Sequence, residues 1–346
     1  MKCPQCNSNQ KYAEGMICKI CGYRFALNPK ESPYITDMAF KNAVDRVSGN
    51  GQYYFTYNQL FAQIYRLLKK KQRQGTTGCL IGFFIIMTAV FFTNAGSFFA
   101  KGLFFTIFIF LIWGIIWFQT RSISYSKVAG IISKYRKVRS IDRLIDGRNL
   151  FEYNLNSKEL GDEILQYAPE RILIVERNDI ANMLILNRFH IEQKTLVVSD
   201  QKYPERAFTA CQRFLLQHSD IPVVLMHDAS EEGLHMKDRL LTDKAWNLEG
   251  KNIQDLGLFP KDTDRLKHSM WLPTMPKRGK EKILSNKKMS YKNIQKGYKM
   301  PLDIAPPRTV MGVTGLAMAT GLALLSDELL AEQQSHSGIG AGRGFG

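Results

Sequence analysis

The sequence predicts a multi-domain chain: a small cysteine-built module, a two-helix transmembrane hairpin, and a C-terminal α/β domain with a mainly parallel sheet. Three observations predict it. Two CxxC pairs lie within the first 21 residues, residues 79–118 are almost continuously apolar, and from 171 onward apolar β-forming runs alternate with helical patterns. A chain of 346 residues has room for two or three such units.

Cys3-Pro-Gln-Cys6 and Cys18-Lys-Ile-Cys21-Gly22 are separated by eleven residues. Each CxxC turn presents two thiolates to one ion, and two turns complete a tetrahedral site. Gly22 relieves the tight turn after the second pair. The array resembles the short zinc ribbons at the N-termini of many bacterial membrane proteins, and is assigned to residues 1–27. That resemblance implies a structural Zn2+ held by Cys3, Cys6, Cys18 and Cys21, because four thiolates leave no open position for substrate. Disulfides are the alternative, but thiols facing a reducing compartment stay reduced. Cys79 and Cys211 lie in apolar surroundings and read as ordinary buried or lipid-facing residues.

ESPY (31–34) is a linker into a small helical cytoplasmic unit, 35–75. ITDMAFKNAVDRV has helical periodicity and SGNGQ is a turn. Thr56 is placed to cap a helix whose Leu60, Phe61, Ile64, Tyr65 and Leu68 share one face. The unit reads as a collar leading into the apolar segment, with part of a winged helix as the other reading.

One helix through 79–118 would run about 60 Å, twice a hydrocarbon core. Two helices, 78–94 and 102–119, joined at NAGSFFAK therefore form the hairpin, 78–119. KKKQRQ (69–74) precedes it, and Arg121, Lys127, Lys134, Arg136, Lys137 and Arg139 follow it in a basic juxtamembrane helix, 121–150. The positive-inside rule then puts both termini in the cytoplasm of a multi-pass protein of the cell (inner) membrane. The formal net charge of +16 would invite a nucleic-acid reading, but residues 150–260 carry −6. The basic excess sits around the apolar segment and in 261–308, which suits a lipid bilayer at least as well.

The α/β domain, 151–270, reads RILIVE, TLVVSD and IPVVLMHD as strands with helical patterns between them. Continuous apolar runs mean strands covered on both faces, and their alternation with helices means parallel βαβ crossovers. The three strands end in acids: Glu176, Asp200 and Asp228. Ligands bind at the carboxyl edge of such a sheet. An acid after the first strand, another after the third, and NIQDLGLFPKDTDRL (252–266) resemble the Toprim fold, in particular the type IIB topoisomerase A-subunit branch. The resemblance implies Mg2+ and phosphodiester chemistry with Glu176 and Asp228 as catalytic acids. Ser230 stands where that family has a second Asp, and no upstream segment matches the one bearing its nucleophilic tyrosine. Asp200, Ser230 and Glu231 are the residues left to complete a cofactor site. The residues themselves leave a second reading open. Asp228, Ser230, Glu231 and Glu232 sit where a helix begins, and acids there cap it and suit its dipole. The domain's negative charge counts against a grip on DNA by the sheet. The histidines show no ligand spacing.

Residues 271–309 form a basic linker, with nine Lys or Arg and one Glu over 277–299. Lipid headgroups are its expected contact, and nucleic acid is the alternative. In 310–346 the run VMGVTGLAMATGLALL is shorter than a membrane span and reads as a small-residue helix packed on the spans or on another subunit. A glycine-rich tail follows.

These observations point to a membrane-tethered, cytoplasm-facing regulatory or scaffold protein with a structural zinc ribbon and a ligand- or partner-binding α/β domain. The competing reading is a Mg-dependent nuclease or phosphotransferase acting on nucleic acid. A protein partner and a homo-oligomer are expected; nucleic acid stays open as a partner. A transporter is disfavoured because the spans carry no charge apart from the loop residue Lys101.

Overall fold

The computed structural model describes residues 1–32, 34–72, 123–145, 169–259, 271–274 and 297–321, with residues 114 and 294. The expected hairpin, 78–119, falls outside the described residues except for Gly114, as do most of the basic linker and the glycine-rich tail. Among the described residues no helix is long and apolar enough to cross a membrane.

The N-terminal module is two matching turns. Lys2 bridges Asn9 and Ile17 bridges Arg24, each antiparallel. The Cys3 and Cys18 amides donate to the Ser8 and Tyr23 carbonyls at 2.9 and 2.8 Å. Asn7 (φ 60°) and Gly22 (φ 73°) occupy the left-handed position after each cysteine pair. Asn tolerates that region better than other residues with a side chain. Tyr23 and Phe25 meet edge to face at 5.2 Å and, with Cys3 and Cys18, make up the module's small core.

Three helices follow. Helix α1 (Asp37–Ser48) is capped by the Thr36 side chain, which accepts from the Ala39 amide. Helix α2 covers 57–72. It starts in a capping box: Thr56 Oγ accepts from the Gln59 amide at 3.2 Å, and Gln59 Oε1 accepts from the Thr56 amide at 2.8 Å. Helix α3 is Tyr125–Arg136. Phe40 of α1 stacks on Tyr135 at 4.0 Å, and Phe61 of α2 stacks on Tyr125 at 5.0 Å. Helix α3 therefore packs on both α1 and α2, with its first turn beside the early turns of α2. Asp37, 1 % exposed, ties the cysteine module down by accepting from Tyr23 Oη, the Ala26 amide and the Leu27 amide at 2.8–2.9 Å.

The α/β domain holds a four-stranded, all-parallel sheet in the order β2-β1-β3-β4. The strands are β1 (Arg171–Val175), β2 (Thr195–Ser199), β3 (Val223–Met226) and β4 (Ile253–Asp255). Strands β2 and β3 are wholly buried and β1 nearly so, as continuous apolar runs require. The helical pattern between β1 and β2 divides at Arg188 (φ 61°) into α4 (Asn178–Leu186) and α5 (Phe189–Glu192). Helix α6 (Glu205–Gln217) leads into β3; α7 (Glu231–Leu234) and α8 (Met236–Thr242) follow it. Strand β4, inside NIQDLGLF, is three half-buried residues and too short to announce itself by pattern.

The C-terminal part returns to the sheet. β5 (Leu272–Pro273) and β6 (Tyr298–Lys299) pair antiparallel, and Met300 bridges Ala229 just beyond β3. A short 3-10 turn, Leu302–Ile304, then leads to α9 (Pro307–Thr320). The expected apolar helix thus packs on its own domain: Arg171 Nη1 donates to the Met318 carbonyl at 3.0 Å, and Gly315 lies against Gln193. The strap ahead of it, 298–305, is gripped by α2, with Gln59 Nε2 on the Ala305 carbonyl and Arg66 Nη2 on the Ile304 carbonyl, both 2.8 Å.

Asn187, at the end of α4, fastens the helical unit to the sheet domain. Its Oδ1 accepts from the Tyr54 amide at 2.9 Å and its Nδ2 donates to the Tyr54 carbonyl at 2.8 Å. Asn187→Ala leaves both backbone groups unpaired, so chemical denaturation of the full chain should show a loss of about 2 kcal/mol.

Candidate functional site

Two constellations carry the chemistry. In the N-terminal module the four Sγ atoms of Cys3, Cys6, Cys18 and Cys21 lie within 4.8 Å of one another. Cys3 to Cys21 is 3.6 Å and Cys6 to Cys18 is 3.7 Å. A tetrahedron of thiolates around an ion at about 2.3 Å has edges of about 3.8 Å. The quartet therefore fits a tetrahedral metal ion as it stands, and all four cysteines are free thiols rather than disulfides. Ser8 Oγ lies 3.0 Å from Cys6 Sγ and 3.4 Å from Cys18 Sγ, a hydroxyl placed beside two ligands. Among the described residues no other group of Cys, His, Asp or Glu comes together in this way.

The second constellation is the carboxyl edge of the sheet. The strand order reverses between β1 and β3, so their carboxyl ends flank the switch point where ligands enter such folds. The expected acids do meet there. Glu176 Oε2 accepts from the Asp228 amide at 2.6 Å, and Glu176 Oε1 accepts from Ser230 Oγ at 3.2 Å. Ser230 is also the N-cap of α7, accepting from the Gly233 amide at 2.9 Å, as its place before a helix suggested. Asp228 does something else: its side chain is buried and both of its oxygens are engaged. Oδ2 takes Arg177 Nη1 at 2.5 Å and Lys299 Nζ at 3.3 Å, while Oδ1 takes the Leu302 amide at 2.7 Å.

Arg177 is the centre of this edge. Besides Asp228 it holds Asp179 at 2.9 Å and Asp303 at 2.6 Å. Asp303, wholly buried in the strap, also accepts from Thr56 Oγ at the start of α2, and Asn58 beside it faces the Arg177 guanidinium. The strap is thus bonded along this edge. Glycine packing leaves no slack: a side chain on Gly233 would collide with the Asp228 carbonyl, Glu176 and His227, and one on Gly257 with the His227 ring.

Charge follows geometry. Burial would raise the Asp228 carboxyl, but Arg177 and Lys299 outweigh it and hold it below the ordinary value. Burial first, then the Asp228 carboxylate, push Glu176 up to about 7. His227 Nδ1 contacts the Asp228 carbonyl at 2.9 Å, and its Nε2 lies 3.2 Å from Asp255 Oδ1. Burial works against its charge, yet Asp255 raises its pKa above the ordinary value.

The remaining expected residues lie apart. Asp200, at the end of β2, pairs with Arg239 at 2.8 Å. Glu231 sits half-buried in the first turn of α7. Arg177, Asp303, Lys299 and Thr56 were not foreseen as a group; a basic residue directly after an acidic strand end, in RILIVER, was the one signal available. A cleft of about 690 Å³ opens elsewhere, between the first knuckle, α1 and residues 138–142, with Gln5, Lys41, Asp45, Asn50, Arg139 and Asp142 on its walls.

No family model, curated protein or solved structure matches this chain. The likeness to Toprim therefore rests on the strand-end acids and the parallel sheet.

Both sites can be tested in solution. Elemental analysis of the full chain should find one thiolate-bound metal ion, lost in Cys18→Ser; stripping it should make the Ala26 and Leu27 amides exchange-labile while those of β1 stay protected. At the sheet edge the test is pH. Folded Glu176 keeps its proton to about 7, whereas unfolded it loses it near 4.5. Between those values the native state binds more protons, so this contribution is complete below pH 4.5 and lost as pH rises through 7. Gln at 176 keeps both hydrogen bonds and does not titrate. The unfolding free energy of the wild type relative to Glu176→Gln should fall by on the order of 3 kcal/mol across that window, read by denaturation at each pH.

Proposed function

We propose that this protein is a membrane-tethered, cytoplasm-facing regulatory or scaffold protein, with a structural zinc ribbon and an α/β domain that binds a partner. The observation that carries the reading is the saturation of Asp228. A magnesium ion needs carboxylate oxygens with open positions and room for several retained waters. Here both oxygens of Asp228 are engaged by Arg177, Lys299 and the Leu302 amide, the last two from the strap. Zinc is the ion of choice for the quartet because four thiolates at tetrahedral spacing close the coordination shell, so the metal holds a fold and activates no water. The membrane tether is supported by the apolar run 79–118 and its basic flanks. It is supported too by the stacking of Phe61 on Tyr125, since an even number of crossings would leave the elements before and after that run on one side, free to pack together. The cleft beside the first knuckle offers a partner mixed charge and a concave face.

The competing reading, a Toprim-type nuclease or phosphotransferase, draws on the meeting of Glu176 and Asp228 at the switch point. Magnesium or manganese titration of the full chain, with and without single- and double-stranded nucleic acid, separates the two. The full chain is needed because α2 and the strap are part of the edge. The scaffold reading expects no cleavage and no heat of metal binding that depends on Glu176 or Asp228. Metal-dependent phosphodiester cleavage abolished by Glu176→Gln would establish the enzyme instead.

A further inference from the structure

We infer that the second cysteine knuckle is a membrane-contact foot, with Ile17 and Ile20 reaching the hydrocarbon boundary and Lys19 the anionic headgroups. The inference rests on the membrane-tether reading and adds a second, non-spanning contact to it.

Ile20 is 75 % exposed and Ile17 59 %. Single exposed apolar residues are ordinary. This pair differs because one turn carries both and the fold prevents either from turning inward. Cys18 and Cys21, on either side of Ile20, are committed to the metal quartet, and the Ile17–Arg24 bridge fixes the other arm. Gln10 stiffens the turn further, donating to the Ile17 carbonyl at 3.1 Å and accepting from the Lys19 amide at 3.3 Å.

Position and charge choose the occupant. The module is anchored by Asp37 at the start of α1. Three residues earlier, the Tyr34 carbonyl accepts from Lys71 Nζ in the last turn of α2, and Glu31 pairs with Lys134 of α3 at 3.2 Å. Lys71 stands eight residues before Cys79, where the apolar run begins. The exit of the module, residues 31–34, therefore lies against the last turn of α2, the element that precedes that run in sequence. Residues 1–27 hold Lys2, Lys11, Lys19 and Arg24 against Glu14 alone, which outweighs the two negative charges of an ion in four thiolates. Lys19 lies 3.7 Å from Glu14 in an exposed pair, which holds it weakly. Basic residues beside exposed isoleucines suit an anionic leaflet, which rewards both burial of apolar surface and positive charge.

The test uses the full chain in nanodiscs, with acyl chains brominated or not. Trp113 and Trp117, inside the apolar run, report on the spans; Trp246 and Trp271 are buried in the protein and give a constant background. Ile20→Trp is made in a chain whose Trp113 and Trp117 are changed to Phe, and an unchanged metal content shows that the knuckle is intact. With anionic lipid the new tryptophan should emit further to the blue, and brominated chains should cut its emission to roughly half. Exchange of the anionic lipid for a zwitterionic one should weaken that quenching. Unquenched emission from the introduced tryptophan, alongside quenched Trp113 and Trp117 in the parent chain, overturns the foot and leaves the tether standing. A blue shift without quenching means that protein covers the knuckle, which also overturns it. Absence of quenching at Trp113 and Trp117 removes the tether, and the foot with it.

Discussion

A guanidinium held among three carboxylates closes this fold. The Arg177 side chain is 19 % exposed, while those of Asp228 and Asp303 are 1 % and 0 % exposed. Charges taken that far out of water cost several kcal/mol each, and only a complete set of partners repays the cost. Completeness here draws on four stretches of chain: the residue after β1, the loop after β3, the strap, and the start of α2. Each would leave buried polar groups unsatisfied if it moved away. The edge of a parallel sheet, open in most folds of this kind, is here a closing seam between the sheet domain and the helical unit.

The seam explains why some of the structure was legible in the sequence and some was not. Strands β1 to β3 announced themselves because burial on both faces demands unbroken apolar runs, and the crossover helices followed from the spacing between them. The cysteine quartet was legible because thiolate geometry tolerates little variation in spacing. Thr56 and Ser230 read correctly as caps, since capping is a local matter of three or four residues. The ionic seam was not local. Thr56 and Asp303 are 247 positions apart, and no periodicity links them. The acids at the strand ends were visible, but their partners decide what they do. The seat of α9 was open for a related reason: small apolar residues allow close packing on any surface, and its described contacts are with its own sheet domain.

Helix α2 has two roles that become one. Its first turn supplies Thr56, Gln59 supports the Ala305 carbonyl and Arg66 the Ile304 carbonyl, so one helix grips the strap over nearly three turns. The same helix directly precedes the apolar run in sequence. The Thr56–Asp303 contact is buried, and Asp303 shares it with Arg177.

The balance of charge at that point argues against a second occupant. Glu176, Asp179, Asp228 and Asp303 face Arg177 and Lys299, an excess of two acids over bases in a largely dehydrated space. An excess of that kind is met by a cation or by protons. A divalent ion would have to displace Arg177 or Lys299 from Asp228, and Gly233 is pressed too closely against the acids to give it room. Protons need no space. A proton on Glu176 can be donated to Ser230 Oγ, the partner already 3.2 Å away, without disturbing the Asp228 amide bond on the other oxygen. The raised pKa of Asp303, where burial outweighs even Arg177, points the same way. Acids that sequence alone could assign to a metal are thus matched to protons as well.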